Sequence, residues 1–334
     1  MVKEMAELKG KMVLGASWEL PCYFGRGQTR KEILAIKNDP TTSHINFARN
    51  YGSEWVGLVD GALVSIGKLM NLRVEKIARP RPRKNKEYYL SIDVARSFKE
   101  SNNKSAFTVG EVERHEKSGA IKSVTIVYIY VPPNGLSFEE QAYIAPQHVV
   151  PLARRMDKIY NFETVIVDIN GLGMPVFEEL LKNSVDPKTG ENYPAWTSIN
   201  TEHTSHNPTG VRKLYGIKSH VDHALERSIQ AFIDYVDTEK LRLLIPSAEL
   251  KIPENFTQSQ KAEVRACHFR TDQLIDQVAN LRLSKDSKRV ERVSKKTDMD
   301  IYDTIAYLLF YLNKHENVTN RMEQEDASSF FFMD

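Results

Sequence analysis

Four aspartates fall at positions where carboxylates do chemistry. Asp93 ends the strand-like run "EYYLSIDV", Asp168 ends the continuous apolar run "TVIVD" just before "INGLG", and Asp300 and Asp303 open the amphipathic stretch "DMDIYDTIAYLLFYL". A carboxylate closing a strand built for burial is costly unless it is solvated or partnered. In α/β sheets ligands bind beyond the carboxyl ends of the strands, which is where Asp93 and Asp168 stand. Asp300 and Asp303 are three apart and share a helical face, while Asp298 points elsewhere. Taken singly, each acid also suits a strand-end turn or the first turn of a helix. Taken together, clustered carboxylates repel one another unless a cation lies among them, and oxygen donors of this kind suit Mg²⁺ or Mn²⁺.

Positive charge is placed unevenly around these acids. The net charge of +2 is too small to argue for a polyanion partner on its own. Two local runs carry more weight. "ARPRPRKNKE" holds Arg79, Arg81, Arg83, Lys84 and Lys86 in a proline-spaced, extended segment, and "SKDSKRVERVSKK" holds Lys285, Lys288, Arg289, Arg292, Lys295 and Lys296. A single basic run is ordinarily a solvated linker or strand edge. Two of them flanking an acidic site point to phosphate contact, and the second run leads into the last acidic stretch.

The elements that must position these residues follow from periodicity. Strands "EYYLSIDV", "SAFTVGEVE" and "IKSVTIVYIYV", separated by polar loops, predict an antiparallel three-strand meander. A helix around "QHVVPLARRMDKIY", the buried strand "TVIVD" and a helix from about Pro175 continue a mixed α/β plan of parallel and antiparallel strands flanked by helices. "VRKLYGIKSHVDHALERSIQAFIDYV" reads as one long helical region, with Leu214, Ile217, Val221, Leu225, Ile229 and Phe232 near helical spacing, and "LRLLIP" and "RVERVSK" read as short strands. The last stretch is helical, with Ile301, Ile305, Leu308, Leu309 and Leu312 on one stripe.

In the order of these motifs the sequence resembles the C-terminal nuclease domain of the large terminase subunit of tailed bacteriophages. "SIDVA", "VIVDINGLG" and "DMDIYDTIAYLLFYL" carry the resemblance, and "FARNYGSEWVG" is similar to the connection between motor and nuclease in that family. The resemblance implies a ribonuclease H-like fold over residues 85–315, preceded by a segment 1–84 like the end of the motor and its linker, and followed by a polar tail 316–334. It implies a metal-dependent endonuclease using two Mg²⁺ or Mn²⁺ ions. Asp93, Asp168, Asp300 and Asp303 would be ligands, with Asp93 bridging the ions. Double-stranded DNA, a terminase motor domain or ATPase chain, the small terminase subunit and the portal protein would be its partners, in the host cytoplasm at the procapsid portal. Other ribonuclease H-like enzymes, such as a transposase or junction resolvase, would use the same acids, and a non-catalytic packaging scaffold would not need them.

Several other chemistries find no pattern. "GALVSIGKL" misses the G-x-x-x-x-G-K-[ST] phosphate loop by one spacer and by Leu69 in place of a hydroxyl, so no ATP hydrolysis is expected. His203, His206, His220 and His223 lack the H-E-x-x-H arrangement of a zinc protease, and no G-x-S-x-G elbow occurs. Cys22 and Cys267, the 2 cysteines of 334 residues, predict packing roles in a reducing compartment. No run reaches the roughly 20 apolar residues of a membrane span, and the charged opening "MVKEMAELKGKM" does not read as a secretory signal, so no membrane partner is expected.

Overall fold

The computed structural model describes residues 17–37, 51, 61–94, 105–132, 138–200, 210–218, 221, 223–284, 289–294 and 298–330, with the side chains of 138–147 and 317–330 left aside. The chain forms two compact units, Met1–Val59 and Asp60–Asp334. In the first, helices α1 (Glu19–Tyr23) and α2 (Arg30–Lys37) are described. Thr29 and Glu32 satisfy each other's backbone N–H groups at the start of α2, a capping box written in the sequence as T-x-x-E.

The second unit is built on an eight-stranded sheet in the order β1-β10-β4-β3-β2-β5-β9-β8. The strands are β1 (Arg73–Glu75), β2 (Glu87–Asp93), β3 (Ala106–Arg114), β4 (Ile121–Tyr130), β5 (Thr164–Asp168), β8 (Trp196–Ser198), β9 (Val211–Ile217) and β10 (Leu241–Leu244). β2, β3 and β4 form the expected antiparallel meander, and β5 joins β2 in parallel. The other pairings are also parallel, so β3 alone runs against the rest. This is the mixed sheet of antiparallel and parallel strands, flanked by helices, that the pattern of strands and helices predicts. Short pairs β6 (Ser184–Val185) with β7 (Asn192–Tyr193) and β11 (Leu281–Leu283) with β12 (Val290–Arg292) lie outside it.

Alternation along β2 divides its residues between two faces. Tyr88, Leu90 and Ile92 join Val109, Val165, Val167 and Leu214 in an apolar core, covered by Val149, Val150, Ala153 and Met156 of α4 (Phe138–Tyr160) and by Val176, Phe177 and Leu180 of α5 (Gly173–Leu180). Tyr89, Ser91 and Asp93 face the other way, toward the long last helix α8 (Asp300–Phe330). Helices α3 (Ile66–Asn71), α6 (Ala224–Asp237) and α7 (Gln258–Ala279) complete the unit.

Three expectations change. "VRKLYGI" is the parallel strand β9 and not the start of a helix, which begins only at Ala224. A buried parallel strand is apolar on both faces, so its Leu214 and Ile217 also satisfy a helical template. The 22-residue α7 was not anticipated, although Thr257 and Gln260 form a capping box at its start. Finally, Arg79 is not free to meet phosphate. It is 7 % exposed, pairs with Glu75 and lies 3.1 Å from Glu111, whose carboxylate also accepts from the Tyr88 hydroxyl. Beyond these, α8 continues to Phe330 through most of the stretch read as a polar tail, and β1 adds part of the segment before residue 84 to the sheet.

Cys267 packs as expected, its Sγ 3.5 Å from the Ile129 carbonyl and its thiol pushed up to about 12 by burial. Removing one partner of a buried charge cluster leaves the others uncompensated. Arg79→Met should therefore cost roughly 3–5 kcal/mol in urea denaturation, through Glu111 left without its cation. A loss within a few tenths of a kcal/mol would show that the cluster does not anchor the entry to β2.

Candidate functional site

Register alone brings two of the expected acids together. Ile92 of β2 and Val167 of β5 are Cα partners in a parallel pair, so the next residues, Asp93 and Asp168, lie abreast on adjacent strands. Neighbouring strands are about 4.8 Å apart and in-register side chains point to the same face. Asp93 is 6 % and Asp168 1 % exposed.

Helix α8 crosses this face in two rows of residues four apart. Tyr311 meets Thr164 at the start of β5 (2.8 Å), and Tyr307 donates its hydroxyl to Asp168 Oδ2 at the end of β5 (3.3 Å). In the second row the Thr304 and Thr108 hydroxyls are 2.6 Å apart, and a Cβ on Gly110 would lie 2.5 Å from Leu308 Cδ2. The helix therefore runs antiparallel to β2 and β5, with its start at their carboxyl ends. Asp303 continues the row of Tyr307 on the β5 side, and Asp300 continues the row of Thr304 on the β3 side. Asp93, on β2, stands between these flanks.

Asp300 is 8 % exposed and borders a cavity of about 170 Å³ with Arg270, Gln273, Asp276, Gln277, Asp298 and Val131, while Asp303 is half-exposed. The start of α8 is pinned by the Gln277 side-chain oxygen, which accepts the Tyr302 N–H at 3.0 Å. Among the described residues no three His, Cys, Asp or Glu side chains are gathered closely enough to hold a metal ion. The abreast pair still fits a hard cation, because Mg²⁺ is commonly bound through one or two carboxylates together with water and substrate phosphate.

Asp168 is held from the loop side as well. Its Oδ1 accepts from the Asn170 backbone N–H (2.9 Å) and from Asn170 Nδ2 (2.5 Å). Gly171 turns the chain at φ +58°, and Gly173 opens α5 against the strand end, where a Cβ would sit 1.6 Å from the Asp168 carbonyl oxygen. That contact is with backbone, so no side chain can be accommodated without moving the strand end or the helix.

The basic runs separate. Arg81, Arg83 and Lys84 are exposed at the amino end of β2, roughly 20 Å from Asp93 by strand length, so they do not flank the acids. That end carries an open cleft of about 800 Å³ lined by Lys86, Arg114, Lys117 and Lys122 but also by Glu87, Glu113 and Glu116. In the second run Arg289 and Arg292 are exposed on or beside the β11–β12 hairpin, shortly before α8, while Lys285, Lys288, Lys295 and Lys296 lie outside the described residues. His203, His206 and His220 also lie outside them, and His223 contacts Glu226 (3.4 Å).

Two cations at the acidic end were missed. Lys218 follows Ile217, the Cα partner of Asp168, and is hidden in the stretch misread as helix. Arg270 lies on α7, which was not anticipated.

No family model matches the chain, and no curated protein matches it. Solved structures similar to it include phage large terminase nucleases. The nuclease of thermophilic phage G20c with bound magnesium is 12 % identical over 75 % of this chain and 98 % of its own, at a TM-score of 0.40. The same nuclease with bound cobalt gives the same values. The nuclease domain of Thermus phage P74-26 is 13 % identical over 75 % and 94 %, at a TM-score of 0.36. Likeness at that level leaves the roles of this chain's residues to their own geometry.

Gly173→Ala should destabilise the unit by about 3 kcal/mol, at the upper end of overpacking costs, and displace Asp168. Thermal denaturation checks this, and an unchanged midpoint would show that the strand end is not held by close backbone approach.

Proposed function

We propose that the chain is a divalent-cation-dependent DNA endonuclease of a phage genome-packaging terminase, cutting concatemeric viral DNA. The observation that carries the reading is the placement of Asp93 and Asp168 abreast at the carboxyl ends of two parallel strands, beneath the start of the helix that bears Asp300 and Asp303. Asp93 would be shared between the two flanks, with Asp168 and Asp303 on one and Asp300 on the other. Mg²⁺ or Mn²⁺ held there supplies charge stabilisation for the attacking and leaving oxygens of an in-line phosphodiester displacement. The chain's own part is to fix the carboxylates and to seat the backbone phosphates. Asn170 and Tyr307 orient Asp168, and Gln277 holds the start of α8 in register. Arg289 and Arg292, with Lys285, Lys288, Lys295 and Lys296 of the same run, would bind the duplex by its phosphates, favouring little sequence preference.

Plasmid cleavage should require Mg²⁺ or Mn²⁺ and stop in EDTA. Cutting that continues in the chelator, with contaminating nucleases removed, would sink the metal-dependent reading. Equal cleavage of linear duplex and branched DNA fits a packaging nuclease, whereas strong preference for a junction would favour a resolvase.

The two helix acids should differ in effect. Asp300→Asn is expected to eliminate single-turnover cleavage, because Asp300 is the buried acid of the β3 flank. Asp303→Asn should leave reduced activity that higher Mn²⁺ partly restores, since Asp168 already serves its flank. A dead Asp303 variant beside an active Asp300 variant would reverse the assignment. Replacing Lys288, Arg289 and Arg292 with Ala should flatten the slope of log affinity against log salt by about 0.9 for each lost phosphate contact. An unaltered slope would move the DNA path elsewhere.

A further inference from the structure

Building on the nuclease reading, we propose that Tyr307 and Asn170 are positioning residues of the cation site, gripping the two oxygens of Asp168 from opposite sides. Asn170 donates twice to Oδ1, and the Tyr307 hydroxyl reaches Oδ2 at 3.3 Å from across the helix–sheet interface. Tyr307 is 3 % exposed, so its hydroxyl lies within packed structure. A phenylalanine would fill nearly the same space, so the hydroxyl contributes an interaction and not bulk. Neither donor depends on the other: one belongs to the loop after β5, the other to α8.

The consequence is geometric. A strand-end carboxylate is otherwise able to turn about its own side-chain bonds. With a donor on each oxygen, the plane of the Asp168 carboxylate is set relative both to its own strand and to α8. Tyr307 lies four residues beyond Asp303, so the same hydrogen bond sets the distance between the strand-end pair and the acids at the helix start. The contact between Tyr311 and Thr164, one turn further along, keeps the row in register at the other end of the strand. Donors that orient a ligating carboxylate in this way typically contribute 10–100-fold in metal affinity.

The test is Mn²⁺ binding followed by electron paramagnetic resonance of the free ion, with Asp168→Asn as the reference for a lost ligand. Tyr307→Phe and Asn170→Ala should each raise the Mn²⁺ dissociation constant roughly tenfold or more. The thermal midpoint of the metal-free Asn170→Ala protein should stay close to wild type, that of Tyr307→Phe should fall modestly with the loss of one buried contact of α8, and saturating Mn²⁺ should restore most of the cleavage rate in both. A merely structural role would leave a reduced rate at saturating Mn²⁺, and that result would overturn the proposal. Wild-type Mn²⁺ affinity in both folded variants would also overturn it while leaving the nuclease reading standing. A wild-type protein that binds no Mn²⁺ would overturn both. If Tyr307→Phe does not fold, Asn170→Ala decides the matter, because its side chain lies in a half-buried loop outside the helix–sheet interface.

Discussion

The antiparallel seating of the last helix on the sheet is the interaction on which the rest of the acidic end depends. Thr304 on Thr108, Tyr307 on Asp168 and Tyr311 on Thr164 pin α8 to three points on β3 and β5, and Leu308 fills the space left open by Gly110. These are polar contacts in a buried layer, where an unmade hydrogen bond is costly, so they resist sliding of the helix along the strands. A shift of a single residue would turn both rows away from their partners. The placement of Asp300 and Asp303 toward the end of the sheet that carries Asp93 and Asp168 is thus a consequence of packing further down the helix.

The opposite face does different work. There the sheet buries aliphatic and aromatic side chains under α4 and α5, with the Arg79–Glu111 pair and the α4 guanidinium of Arg154 as buried charges among them. That face supplies the hydrophobic stabilisation, which leaves the α8 face to carry threonines, tyrosines and aspartates. Gly173 joins the two layers, since it lets α5 begin against the end of β5 and so fixes the strand end that carries Asp168.

Much of this was legible from the chain. Strand-forming runs parted by polar loops marked the meander, an unbroken apolar run marked β5, and the carboxylates of β2 and β5 stood out because charge is rare at the end of a buried strand. What was not legible depended on contacts distant in sequence. β9 was mistaken for helix because a strand buried on both faces has no polar alternation to betray it, and Lys218 was lost with it. α7 went unseen because its apolar positions, Val264, Cys267, Leu274, Ile275 and Val278, are spread thinly among polar residues. The first basic run looked like a flank of the acids only because sequence distance says nothing about which end of a strand a loop occupies. The two oxygens of Asp168 meet Asn170, two residues away, and Tyr307, 139 residues away, and only the first could have been read from a local motif.

The central claim is that the paired strand-end carboxylates and the start of α8 form one divalent-cation site. Anomalous diffraction from crystals soaked in Mn²⁺ tests it most directly. The account predicts a manganese peak within coordination distance of both Asp93 and Asp168, on the side facing Asp300 and Asp303, and its disappearance in the Asp168→Asn protein. A peak elsewhere, with none between Asp93 and Asp168, would contradict it.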